Sequence, residues 1–147
     1  MKTSRIFPKY GANDTAAAIR SDLSLDTYVI QVALTGAGVA IATGTKLATA
    51  RVPYTGTITA VNIDCDPANE PSAAAVQVDV NVVDRSTGTA TSVLSAVASI
   101  ATSANTGSGT VKSDGTEDVT AGDFLSFDID QGSDGKELTA TVVIQYA

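Results

Sequence analysis

The chain has 147 residues, with nine basic against sixteen acidic side chains for a formal net charge of −7; it holds no His, no Trp and a single Cys, Cys65. That balance excludes a general nucleic-acid binder, which needs a positive footprint against phosphate. The absence of His removes the commonest general base and metal ligand, and a lone Cys cannot close an internal disulfide, so the fold must stand on packing.

The first stretch, residues 1–27, differs from the rest. It carries Lys2, Arg5, Lys9 and Arg20 against Asp14, Asp22 and Asp26, a net of +1, while the remaining 120 residues carry −8. Ile6, Phe7, Pro8 and Tyr10 are apolar anchors in this polar arm. Asn13 or Asp14 is placed to cap a short helix through Ala16–Ala18, Ile19 and Leu23. The basic start has no apolar run behind it and does not read as a secretory signal. Two readings of the arm stand side by side: it docks on an acidic partner or neighbouring subunit, or it packs on its own domain.

From Tyr28 the pattern turns to strands. Tyr28–Leu34 is mostly apolar and ends at Thr35-Gly36-Ala37-Gly38. The apolar run over 28–42 is too short to span a bilayer and is broken by Gly36 and Gly38, so no membrane partner is expected. Thr45–Val52 is a second strand, closed by Pro53, and Thr57–Asp64 a third, placing Val61, Ile63 and Cys65 on one face. Cys65 reads as a small buried hydrophobe. Residues 66–71 form a loop by their prolines.

The clearest strand follows. Val76, Val78, Val80 and Val82 alternate with Gln77, Asp79 and Asn81, which puts the valines on one side of an extended chain and the polar groups on the other. Val93, Leu94, Val97 and Ile100 fit a helical turn as well as a strand. Residues 105–109 read as flexible and Thr110–Asp114 as a short strand. Phe124–Asp130 places Leu125, Phe127 and Ile129 in phase, and Phe124 and Phe127 are expected to serve the core at least in part. Gln131–Lys136 reads as a hairpin-type loop, and Leu138–Tyr146 turns Leu138, Ala140, Val142, Ile144 and Tyr146 inward. The expectation is an all-β chain: an eight-stranded, jelly-roll-like antiparallel sandwich over residues 28–147, with residues 1–27 as an N-terminal arm.

Only the acidic residues could carry chemistry. Asp64 and Asp66 flank Cys65, and Asp128 and Asp130 precede Asp134. Alternating carboxylates can converge on Ca²⁺, but the order of residues does not match a calcium loop, and solvated loop ends account for them. Two carboxylates also run glycoside hydrolysis, yet that needs a cleft lined by aromatics, and the chain has four Tyr and three Phe. No phosphate loop, nucleophile elbow or zinc spacing is present. No enzyme activity, cofactor or metal is expected.

Four segments carry a resemblance. Ala42-Thr43-Gly44-Thr45-Lys46 leads to Arg51-Val52-Pro53-Tyr54-Thr55-Gly56-Thr57-Ile58-Thr59, then Val119-Thr120-Ala121-Gly122-Asp123-Phe124-Leu125-Ser126-Phe127-Asp128-Ile129-Asp130 follows, and last Leu138–Val143. Over residues 28–147 the chain resembles a jelly-roll domain of tailed-phage structural proteins, found in tail fibres, head fibres and capsid decoration subunits. It departs from that pattern after Val82, where Val83-Asp84 stand in place of an aromatic. The resemblance implies an eight-stranded jelly roll, often trimeric, in the virion and assembled in the host cytoplasm. Its partner would be the major capsid protein or another virion protein. The arm residues Arg5, Ile6, Phe7, Lys9, Tyr10 and Arg20 are the candidate docking groups, the cations for acidic shell residues and the apolar ones for pockets. The alternative is an adhesion module at a fibre or tail tip, with Thr, Asn and Asp loops binding host glycans.

Overall fold

The computed structural model describes residues 26–147, and every described element is a strand. In chain order these are β1 (Thr27–Ala33), β2 (Ala40–Ile41), β3 (Gly44–Arg51), β4 (Gly56–Asp64), β5 (Val76–Val83) and β6 (Ala90–Ser92). Then come β7 (Leu94–Ile100), β8 (Thr106–Val111), β9 (Asp118–Val119), β10 (Phe124–Gln131), β11 (Ser133–Lys136) and β12 (Thr139–Tyr146). The helix expected around residues 13–23 lies outside the described residues.

The main sheet runs β1-β12-β4-β8-β7-β5-β10-β3. Each of these eight strands has six residues or more. Counted among themselves, first pairs with last, second with seventh, third with sixth and fourth with fifth, all antiparallel. Nested pairing of this kind is one long two-stranded ribbon rolled up, the wrap of a jelly roll. One wall is β1-β12-β4-β8 and the other β7-β5-β10-β3. They are joined through β8 and β7, and β1 and β3 lie beside each other across the remaining seam. The fold expectation holds.

The core lies between the walls. Val76, Val78 and Val80 are wholly buried, and Val82 is nearly so. Across the strand pair they face Ile129 (from Val78), Phe127 (from Val80) and Leu125 (from Val82), all buried. Ala140, Val142 and Ile144 of β12 and Val61 and Ile63 of β4 supply the opposite wall. Each such side chain contributes about 1.5–3 kcal/mol by leaving water. This packing replaces the disulfide that the single free cysteine cannot make.

Four local expectations are corrected. Residues 106–111, read mostly as flexible, form β8 between β4 and β7. The glycine there marks close approach, not mobility: a Cβ on Gly107 would run into the Ser99 carbonyl of the neighbouring strand. In the ambiguous segment, Leu94–Ile100 is strand β7 and the buried Val93 precedes it. The register of β7 slips between Leu94 and Ala96 and again before Ser99, and Leu94, Ala98 and Ile100, all in one phase of period two, are its buried side chains. Residues 133–136 are not a simple hairpin loop but pair with β2 in a separate small sheet. Phe127 is fully buried, whereas Phe124 is 41% exposed because it falls on the outer side of β10.

Candidate functional site

The arm residues Arg5, Ile6, Phe7, Lys9, Tyr10 and Arg20 lie outside the described residues. What is described is the place where that segment joins the body. The Tyr146 amide donates to the Asp26 carbonyl at 2.8 Å, tying the start of the described chain to its last strand. Tyr28, Tyr54 and Tyr146 gather there with ring centroids 5.1 to 6.0 Å apart. The Tyr28 hydroxyl donates to the Tyr54 carbonyl at 2.6 Å. Partial burial pushes the Tyr28 phenol up, the bond to Tyr54 opposes this, and Tyr146 adds to the rise. Tyr54 leaves 57% of its surface in solvent. The sequence reading treated these tyrosines separately. Only strand pairing brings together residues so far apart in the chain.

Two of the segments that carry the resemblance meet in one corner. The Val52 amide donates to the Asp123 carbonyl at 2.8 Å, and the Gly122 amide donates to the Val52 carbonyl at 2.9 Å. Thr120–Asp123 is a tight turn, closed by Asp123 N–H to the Thr120 carbonyl at 3.0 Å, and Gly122 takes a φ of +99° within it. The Asp123 carboxylate accepts from the amides of Thr120 at 2.9 Å and Arg85 at 3.3 Å. The acidic residue of the Thr-Ala-Gly-Asp motif is thus a turn acceptor.

Three of the candidate carboxylates, Asp66, Asp128 and Asp134, are occupied in the same way. Asp66 accepts from the Ala68 amide and the Asn69 side chain, which hold its carboxyl below the usual carboxylate range. Asp128 accepts from the Lys46 amide at 2.6 Å and the Asn81 side chain at 3.0 Å. Asp134 accepts from the Ser72 hydroxyl and amide, the Ala73 amide and the Ser133 hydroxyl, and these hold its carboxyl far below the usual range. Among the described residues no three His, Cys, Asp or Glu side chains are grouped as a metal would need. Asp64 and Asp66, on either side of Cys65, and Glu70 act instead on the thiol: burial first, then these three charges, push it up.

One open cleft of about 350 Å³ lies at an end of the sandwich, over the β5–β6 turn and the segment before β9. Asp84, Asp118, Thr87, Thr89, Thr91 and Thr116 are among its walls, and no aromatic ring lines it. Part of its acidity is spent locally, since Asp84 accepts from the amides of Ser86 and Thr87 and from the Ser86 hydroxyl. The cleft can offer hydroxyls and carboxylate oxygens to a polar ligand but no stacking platform. Sequence patterning gave no sign of it, because its walls come from separate turns.

The two outer faces differ in charge. On the β5 and β10 side, Asp79 stands directly opposite Asp128. Asp130 follows on the same strand. Partial burial raises its carboxyl first, and the charges of Asp79 and Asp128 raise it further. The Gln77, Asp79 and Asn81 side chains are half-buried, and Asp79 accepts from the Ser92 hydroxyl at 2.7 Å. Comparison of the chain with protein-family models, with curated proteins and with solved structures returns no match.

Proposed function

We propose that this is a non-enzymatic structural protein of a tailed-phage virion, a capsid decoration or cement subunit that braces the head shell. The observation that carries this reading is the corner at Val52, Gly122 and Asp123, where two of the segments resembling the phage jelly-roll pattern dock on each other. Support also comes from the body itself, a sandwich in which Asp66, Asp123, Asp128 and Asp134 are engaged with neighbouring amides, hydroxyls and an Asn side chain. A brace needs contact area and no reacting group. Charge supports a division of labour: residues 1–27 carry a net +1, and the remaining 120 residues carry −8. In this reading Arg5, Lys9 and Arg20 pair with acidic shell residues, while Ile6, Phe7 and Tyr10 fill pockets. The subunit works as a homo-oligomer, a trimer by the resemblance, which multiplies the weak hold of each arm.

The test is co-sedimentation of the full chain with assembled phage heads. Saturable binding that disappears when Arg5, Lys9 and Arg20 are together changed to Glu supports the reading. Unchanged occupancy of that variant, or no binding to heads, overturns it.

The polar cleft favours a second reading, an adhesion module at a fibre or tail tip that binds host glycans through its threonine and aspartate side chains. A glycan array separates the two. Saturable sugar binding lost in Thr89→Val favours adhesion, and silence on the array favours the brace.

A further inference from the structure

The outer face of β1-β12-β4-β8 carries almost no charge. Val29, Val143 and Ala60 stand in one row across β1, β12 and β4. The next row is Gln31, Thr141, Asn62 and Ser108. Asp64, at the end of β4, and Asp118 of β9, which pairs beside Thr57 near the start of β4, are the ionisable side chains on this outer face among the described strands. The opposite outer face, by contrast, holds Asp79, Asp128 and Arg51. Val29 is 58% exposed, the most exposed of the large hydrophobic residues described. Both acidic groups stand at the margins of the face, Asp64 at one end of β4 and Asp118 beside the other, and leave its middle rows uncharged.

We propose that this face is an interface between copies of the chain. Charge argues for a second copy as the occupant. Two bodies that each carry −7 repel wherever acidic surface meets acidic surface, so they can approach closely only where charge is missing. Depletion of charge is also what marks the centre of a protein–protein contact. The area suffices. Four strands about 4.8 Å apart, each of about seven residues at about 3.3 Å per residue, outline roughly 450 Å². Two such faces with their side-chain relief remove on the order of 1,000 Å² from water, enough for a specific contact. The inference rests on the homo-oligomer part of the reading above and not on where the protein acts.

The experiment is sedimentation equilibrium of the full chain and of three variants, with circular dichroism confirming the fold of each. Asn62→Lys and Val29→Lys place a charge on exposed positions of the neutral face, and Thr49→Lys does so on the exposed side of β3 in the other wall. The expected result is an oligomer for the wild type and for Thr49→Lys, with self-association weakened at least about tenfold in the other two. A monomeric wild type overturns the proposal. So does an oligomer that survives both neutral-face variants, which would place assembly elsewhere, or one that Thr49→Lys disrupts equally. Binding to heads is read separately by co-sedimentation, so failure of one idea leaves the other measurable.

Discussion

Val52 and Asp123 lock the end of β3 to the start of β10: the Val52 amide bonds the Asp123 carbonyl at 2.8 Å, and the neighbouring Gly122 amide bonds the Val52 carbonyl at 2.9 Å. From that lock the register runs outward, pairing Arg51 with Phe124 and Ala50 with Leu125. Two motifs some seventy residues apart in sequence therefore behave as one structural joint.

The carboxylate of Asp123 is the part of the joint most open to test. It is only 8% exposed and accepts from two amides, those of Thr120 and Arg85. Asp123→Ala leaves both without that acceptor and is expected to cost about 1–3 kcal/mol. Asp123→Asn keeps one acceptor oxygen and costs less. Urea titration of both variants measures the order, and an alanine variant as stable as the wild type would show that the turn stands without its side chain.

How much of this was legible in the sequence depends on whether a residue's partner is local. The alternation Val76 to Val82 predicted its own buried face, because period two is a property of one strand. The spacing Val93, Leu94, Val97 and Ile100 did not resolve, because it fits a helical turn as well as a strand and the choice is made by pairing with β5 and β8. Gly107 and Gly109 read as flexibility when they mark close packing against Ser99 and Leu94, a fact about neighbours that the sequence does not carry. The tyrosine cluster and the cleft were hidden for the same reason. The neutral wall was hidden too, since its rows are formed by register across separate strands.

Val80 tests the core. It is wholly buried and stands opposite Phe127. Val80→Asp places an unpaired charge between the walls and is expected to cost more than about 4 kcal/mol, enough to prevent folding. Val80→Ala leaves only a small cavity and should cost about 2 kcal/mol. Circular dichroism should find the aspartate variant unfolded and the alanine variant folded with a lower melting temperature.

Cys65 should be chemically quiet. It is buried, its sulfur lies 3.9 Å from the Ala104 carbonyl, and burial together with Glu70, Asp66 and Asp64 raises its thiol pKa. Less thiolate and poor access both slow attack on a disulfide reagent. Thiol titration at mildly alkaline pH is expected to proceed at least about tenfold faster in denaturant than in the native state. Equal rates would mean that the strand end opens readily.

Two aspartates should move stability with pH in opposite directions. The hydroxyls and amides of Ser72, Ala73 and Ser133 lower the pKa of Asp134, so the folded state holds the proton less readily than the unfolded chain. Its contribution is present above the ordinary carboxylate range and is lost as pH falls toward the depressed value. Asp130 is the reverse. Burial, and then the charges of Asp79 and Asp128, raise its pKa, so the folded state takes the proton more readily. Its favourable contribution is present in acid and is lost as pH rises through the raised value. Asp134→Asn should therefore be less stable than the wild type at neutral pH, with the gap narrowing in acid. Asp130→Asn should be more stable at neutral pH, and that gap should also close in acid. Urea midpoints measured from neutral pH down through the carboxylate range test both, and two gaps of the same sign would contradict the assigned environments.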